Sequence, residues 1–179
     1  NFSKDALQRD HKIIKPKELD IFIPSKSIAI EYDGLHWHNE IMDRITPSFH
    51  LHKTELCNEK GVRLIHIFED EWLEKPQIVK SMLKNILGAT ANYIYARQCE
   101  VRNVDSMTAT QFLDDNHIQG QCKSKYYYGL YYKGELVSLM TFSKAKLHRK
   151  NNEDSENTWE LLRFCNKLDT IVVGGASKL

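Results

Sequence analysis

The chain has 179 residues and a formal net charge of +1, from 25 Lys and Arg against 24 Asp and Glu. This balance excludes a globally basic, tail-like polyanion binder, and a hydrophobic content of 41% excludes a disordered chain. No apolar run approaches the roughly 20 residues of a membrane span, and no basic segment followed by an apolar one opens the chain, so a non-secreted, non-membrane protein is expected.

In chain order, 18–23 and 28–33 alternate apolar and polar residues with the period of half-buried strands, joined by the turn Pro24-Ser25-Lys26-Ser27. Thr46-Pro47 predicts a helix start, with Thr46 as cap and Pro47 at the first position, and Gly61 predicts its end. Val62 to Phe68 is apolar on nearly both faces, as a central strand would be. Ile78, Val79, Met82, Leu83, Ile86 and Leu87 form a helical stripe ending at Gly88. A strand-like run follows a soft boundary at Ala96-Arg97-Gln98. Residues 107–116 read as a helix, 126–132 and 135–142 as a hairpin about Lys133-Gly134, 159–165 as a strand, and 171–173 as one more. The polar stretch 150–157 reads as an exposed loop.

The first hairpin carries chemistry. Folded about its turn, it pairs Ile23 with Ile28, Ile21 with Ile30 and Asp20 with Glu31. The isoleucines then share one face, expected to be core, and Asp20, Phe22, Ala29, Glu31 and Asp33 share the other. Opposed carboxylates repel, and a divalent cation removes that cost. Oxygen ligands with room for water suit Mg2+ or Mn2+. The alternative is a solvated polar face whose acids pair with Lys15 or Lys17.

Histidines crowd the same region: His36, His38, His50 and His52 fall within 36–52. An imidazole beside a cation-bound water serves as a general base or acid near neutral pH. His50 and Lys53 stand three apart on one helix and so share a face. A zinc alternative would use the two His-x-His pairs with Cys57. The four cysteines, Cys57, Cys99, Cys122 and Cys165, lie too far apart for a zinc ribbon or a disulfide framework, and reduced thiols are expected.

The series Glu18-Leu19-Asp20-Ile21-Phe22-Ile23-Pro24, Ile30-Glu31-Tyr32-Asp33-Gly34-Leu35-His36-Trp37-His38 and Glu59-Lys60-Gly61-Val62-Arg63-Leu64-Ile65-His66-Ile67 resembles the very-short-patch-repair-like nucleases of the PD-(D/E)xK superfamily, and more closely their phage homing-endonuclease relatives with an E-D-x-H-D series. The resemblance covers roughly residues 10–87. It implies an α/β fold, a mixed sheet flanked by helices, and hydrolysis of double-stranded DNA at a specific site with Mg2+ or Mn2+, in the cytoplasm of a bacterial host. It implies that Asp20 is the central metal aspartate, that Tyr32 offers its main-chain carbonyl to the ion, that His38 is the catalytic histidine and that Trp37 is the aromatic beside it. Glu31 matches the superfamily's second acid, Asp33 stands where its lysine is usual, the final aspartate falls at His50, and Leu35 and Met42 stand near the positions of the repair enzyme's zinc cysteines. The family's first glutamate lies upstream of Asn1, so the chain reads as a fragment. The expected catalytic set is Asp20, Glu31, His38, His50 and Lys53, and the expected metal set is Asp20, Glu31, Tyr32 and Asp33.

The nuclease domain is expected over 1–97 and a smaller α+β targeting domain over 98–179. In the second, Lys123-Ser124-Lys125-Tyr126-Tyr127-Tyr128 interleaves bases with aromatics, and Lys144, Lys146, His148, Arg149 and Lys150 form a basic run suited to phosphates. Lys15, Lys17, Trp37, Lys144, Lys146, Arg149 and Lys150 are the expected DNA contacts. Phe112 to Gly120, the hairpin and Val172-Val173-Gly174-Gly175-Ala176 resemble a module found behind such nucleases and, more faintly, a truncated GNAT acyltransferase. The closing Ser177-Lys178-Leu179 matches a peroxisomal address, but Val173 to Ser177 reads instead as a strand entering a helix. The leading expectation is a metal-dependent homing endonuclease. The alternatives are a DNA-binding module with a degenerate nuclease fold and an acyltransferase centred on the second half.

Overall fold

In this computed structural model, residues 7–34, 48–144 and 158–179 are described. The chain is mixed α/β and divides into two units, Asn1–Pro76 and Gln77–Leu179.

The first unit is built on a four-stranded sheet ordered β1-β2-β3-β4, from Leu7–Asp10, Leu19–Ile23, Ile28–Asp33 and Arg63–Phe68. β1, β2 and β3 run antiparallel, and β4 lies parallel to β3. The tight turn at Pro24–Lys26 reverses the chain between β2 and β3, and Ser27 (φ +51°) completes it in the left-handed region. A parallel neighbour needs a long crossover, and helix α1 (Ser48–Glu59) lies within it. Gly61 (φ +69°) ends that crossover with a conformation that suits glycine. A short helix α2 (Glu69–Glu74) follows β4.

The β2–β3 register is the one the alternation predicts: Ile21 opposite Ile30, Phe22 opposite Ala29, Ile23 opposite Ile28. The faces divide differently from the expectation. Ile23, Ile28 and Ile30 are buried, but Ile21 is exposed, and the other face is also covered. There Phe22, Ala29 and Leu64 pack with Leu19, Ile14, Val62 and Cys57 of α1. The acidic residues therefore share a helix-covered face, which is why Glu31 is only 6% exposed.

The second unit begins at Gln77, in the first turn of helix α3 (Pro76–Ile86), not near residue 97. The reason is long-range pairing: Ser81 Oγ accepts from Asp169 N–H at 2.7 Å, and Lys84 pairs with Asp169 at 2.9 Å. Strand β5 (Asn92–Tyr95) likewise pairs in parallel with β10 (Thr170–Val173). A second sheet, all antiparallel, is ordered β6-β7-β8-β9, from Glu100–Asn103, Tyr126–Tyr132, Glu135–Lys144 and Trp159–Asn166. Helix α4 (Ser106–Asn116) is capped by Asp105, whose carboxylate accepts from the Thr108 N–H and hydroxyl. It buries Ala109, Phe112 and Leu113 with Val104 and Leu139. Gly129 makes room for Val104 and Leu136, whose side chains approach to where a Cβ would stand. Among the described residues no helix is long and apolar enough to cross a membrane.

Candidate active site

Asp20 and Glu31 are locked together across the hairpin by reciprocal bonds. The Asp20 N–H donates to Glu31 Oε1 at 3.1 Å, and the Tyr32 N–H donates to Asp20 Oδ2 at 2.9 Å. Each carboxylate is thus oriented by a backbone group of the opposite strand. α1 then supplies the charge partner, because Lys53 Nζ lies 2.5 Å from Glu31 Oε2 and is itself 8% exposed. Burial pushes the Glu31 carboxyl above its usual range. The Lys53 hydrogen bond and charge and the Asp20 N–H pull it back, and the neighbouring Asp20 charge adds to the rise.

A second constellation lies along the same sheet face. The parallel register sets Glu31 beside His66 and Asp33 beside Phe68. His66 Nδ1 is 2.8 Å from Asp33 Oδ2, and His50 Nδ1 is 3.6 Å from Asp33 Oδ1. The two imidazoles meet edge to face with centroids 5.3 Å apart. Thr54 ties the His66 ring to the α1 backbone: its hydroxyl donates to the His50 main-chain carbonyl at 2.9 Å and lies 3.1 Å from His66 Nε2. His50 is followed at three and four residues by Lys53 and Thr54, and these at four and three by Cys57, so α1 turns one stripe toward the sheet.

Of the expected residues, the structure brings Asp20, Glu31 and Lys53 together and sets Asp33 with His50. Asp33 faces the histidines, and the Tyr32 side chain is exposed. Lys15 and Lys17 stand in the β1–β2 connection, and Lys144 closes β8. Trp37, His38, Lys146, Arg149 and Lys150 lie outside the described residues, as do Thr46-Pro47 and the 150–157 stretch. The sequence reading missed His66 and Thr54. Their signals are alternation in β4, where Leu64, His66 and Phe68 share a face, and the helical step from His50 to Thr54.

The donor set at Asp20 and Glu31 suits a hard divalent ion. Each carboxylate offers about four lone-pair directions, of which Glu31 uses one on Lys53 and one on the Asp20 N–H. Oxygen capacity remains on both, as Mg2+ or Mn2+ would require.

In the second unit, Lys125 Nζ stands 5.5 Å from the ring centroids of both Tyr126 and Trp159, which lie 5.0 Å apart and are exposed. Tyr128 continues the row, stacked on Tyr126. The Gly174-Gly175 turn (Gly174 φ +77°) leads into α5 (Gly175–Lys178), whose Lys178 ammonium is taken by the Ala96 and Cys99 carbonyls. No family model, curated protein or solved structure matches the chain.

Proposed function

We propose that the first unit is a divalent-metal-dependent DNA endonuclease of the PD-(D/E)xK, homing type, and that the second unit contacts the DNA. The observation that supports this reading best is the Asp20–Glu31–Lys53 cluster, in which Glu31 and Lys53 are buried, on a sheet in which three antiparallel strands are followed by a parallel fourth. A bound Mg2+ or Mn2+ supplies charge stabilisation at the phosphoryl and leaving oxygens. The chain's own groups supply the rest. Asp20 and Glu31 would hold the ion, their carboxylates fixed in direction by cross-strand N–H groups. Lys53, where the pattern usually has a lysine two residues after the glutamate, keeps a positive charge beside Glu31 from α1. His38 would orient or deprotonate the attacking water.

A second reading, a DNA-binding module with a degenerate site, draws on the same bonds. Glu31 is paired with Lys53, and Asp20 accepts from the Tyr32 N–H, so each acid already has a partner without an ion. Supercoiled plasmid separates the two. Nicking or linearisation that needs Mg2+, stops with EDTA and is lost in Asp20→Ala supports the nuclease. Retained DNA binding without cleavage supports the degenerate module.

A further inference from the structure

We propose that Asp33, His50 and His66 form a binding site for a zinc-type divalent transition-metal ion, separate from the Asp20–Glu31 pair. The proposal does not depend on the nuclease reading. Three elements, β3, α1 and β4, each deliver one ligand atom, and among the described residues these are the group of three whose ligand atoms all lie within 4.8 Å of one another. The side chains are 10% exposed for Asp33, 18% for His66 and 28% for His50, so the site is sheltered but reachable.

The hydrogen bonds around His66 set the direction of its ring. A threonine hydroxyl has one proton, and that of Thr54 goes to the His50 carbonyl. Toward His66 Nε2, Thr54 Oγ1 therefore accepts, and Nε2 carries the ring proton. His66 Nδ1 is thereby turned toward Asp33 Oδ2, 2.8 Å away. His50 Nδ1 converges on the other oxygen of the same carboxylate, at 3.6 Å. A metal ion between them would take one donor atom from each of the three.

Ligands about 2.0–2.2 Å from a tetrahedral zinc lie roughly 3.3–3.6 Å from one another, which the 3.6 Å from His50 Nδ1 to Asp33 Oδ1 matches, while His66 Nδ1 lies 2.8 Å from the other carboxylate oxygen. Thr54 is the outer partner that fixes a ligating imidazole's tautomer and aim. Two imidazoles and one carboxylate favour Zn2+ or Co2+ over Mg2+, which prefers oxygen alone. Three protein ligands leave a position open to water or an anionic oxygen.

The test is a titration of the metal-stripped full chain with Co2+, read by its visible absorption, and with Zn2+ by calorimetry. One equivalent is expected to bind and to survive a large excess of Mg2+. His66→Gln should weaken binding at least about tenfold, Thr54→Val by about 10–100-fold, and Thr54→Ser should restore it. Asp20→Asn should leave it unchanged. Absence of a saturable Co2+ band overturns the proposal, as does displacement by Mg2+ or wild-type affinity in Thr54→Val. The Thr54 pair keeps the test decisive if His66→Gln fails to fold.

Discussion

Lys53 and Glu31 form an ion pair at 2.5 Å, with both side chains nearly out of contact with solvent, at 10% and 8% exposure. A pair this sheltered is held by mutual need more than by net gain. Desolvating the two charges offsets much of their attraction, yet removing one leaves the other stranded. β3 and α1 are thereby tied at the level of the acids, directly above the Phe22–Ala29–Cys57 core.

Lys53→Met should therefore destabilise the first unit by about 3 kcal/mol, whereas Lys53→Met with Glu31→Gln should recover most of that loss. Urea unfolding of the two variants beside the wild type measures the difference. Equal destabilisation in the single and double variants would show that the lysine acts through packing of its stem and not through the pair.

The pH dependence has a definite sign. Burial raises the Glu31 carboxyl above its ordinary 4.5. A raised acid contributes stability that is present below pH 4.5 and lost as pH rises through the raised value. Glu31→Gln has nothing to titrate, so the stability of the variant minus that of the wild type should increase over that window. Thermal melts in steps of half a pH unit test it. A difference that falls over the window would mean that the Lys53 charge outweighs burial.

Much of this site was legible in the amino-acid order because its geometry is local. The Pro24–Ser27 turn and the alternation on either side determine the Ile21–Ile30 register, and helical spacing places His50 and Lys53 on one face. His66 was not legible, since Leu64, Ile65 and Ile67 make its strand read as apolar on both sides. Its role depends on the parallel pairing of β4 with β3, which sets partners 35 residues apart, Glu31 and His66, side by side. The unit boundary was hidden for the same reason. The Ile78–Leu87 stripe reads as continuing the first half until Asp169 is seen to hold Ser81 and Lys84.

The cysteines should differ in reactivity. Burial pushes the Cys165 thiol up to about 12, and burial likewise raises those of Cys57 and Cys99. Because the thiolate is the nucleophile, these three should resist iodoacetamide at pH 8 in the folded chain and label on denaturation. Cys122 is less enclosed than Cys57 and Cys99 and should label first. Mass mapping of the modified peptides checks the order, and rapid labelling of Cys165 would contradict the burial of its sulfur.

Lys125 between Tyr126 and Trp159 gives the second unit a charged aromatic surface, and Lys144 lies beside Trp159 in the β8–β9 register. If this face meets nucleic acid, each lysine on a phosphate adds about one unit to the slope of log affinity against log salt. Lys125→Gln and Lys144→Gln should then each flatten that slope for duplex DNA, with binding weakened evenly across sequences. Trp159→Ala should leave the slope alone and instead weaken single-stranded DNA by roughly 1–3 kcal/mol, the worth of one stacked base. Fluorescence anisotropy across a salt series separates the two contributions. Unchanged slopes in both lysine variants would remove this face from the DNA-contacting surface and leave the task to other basic residues.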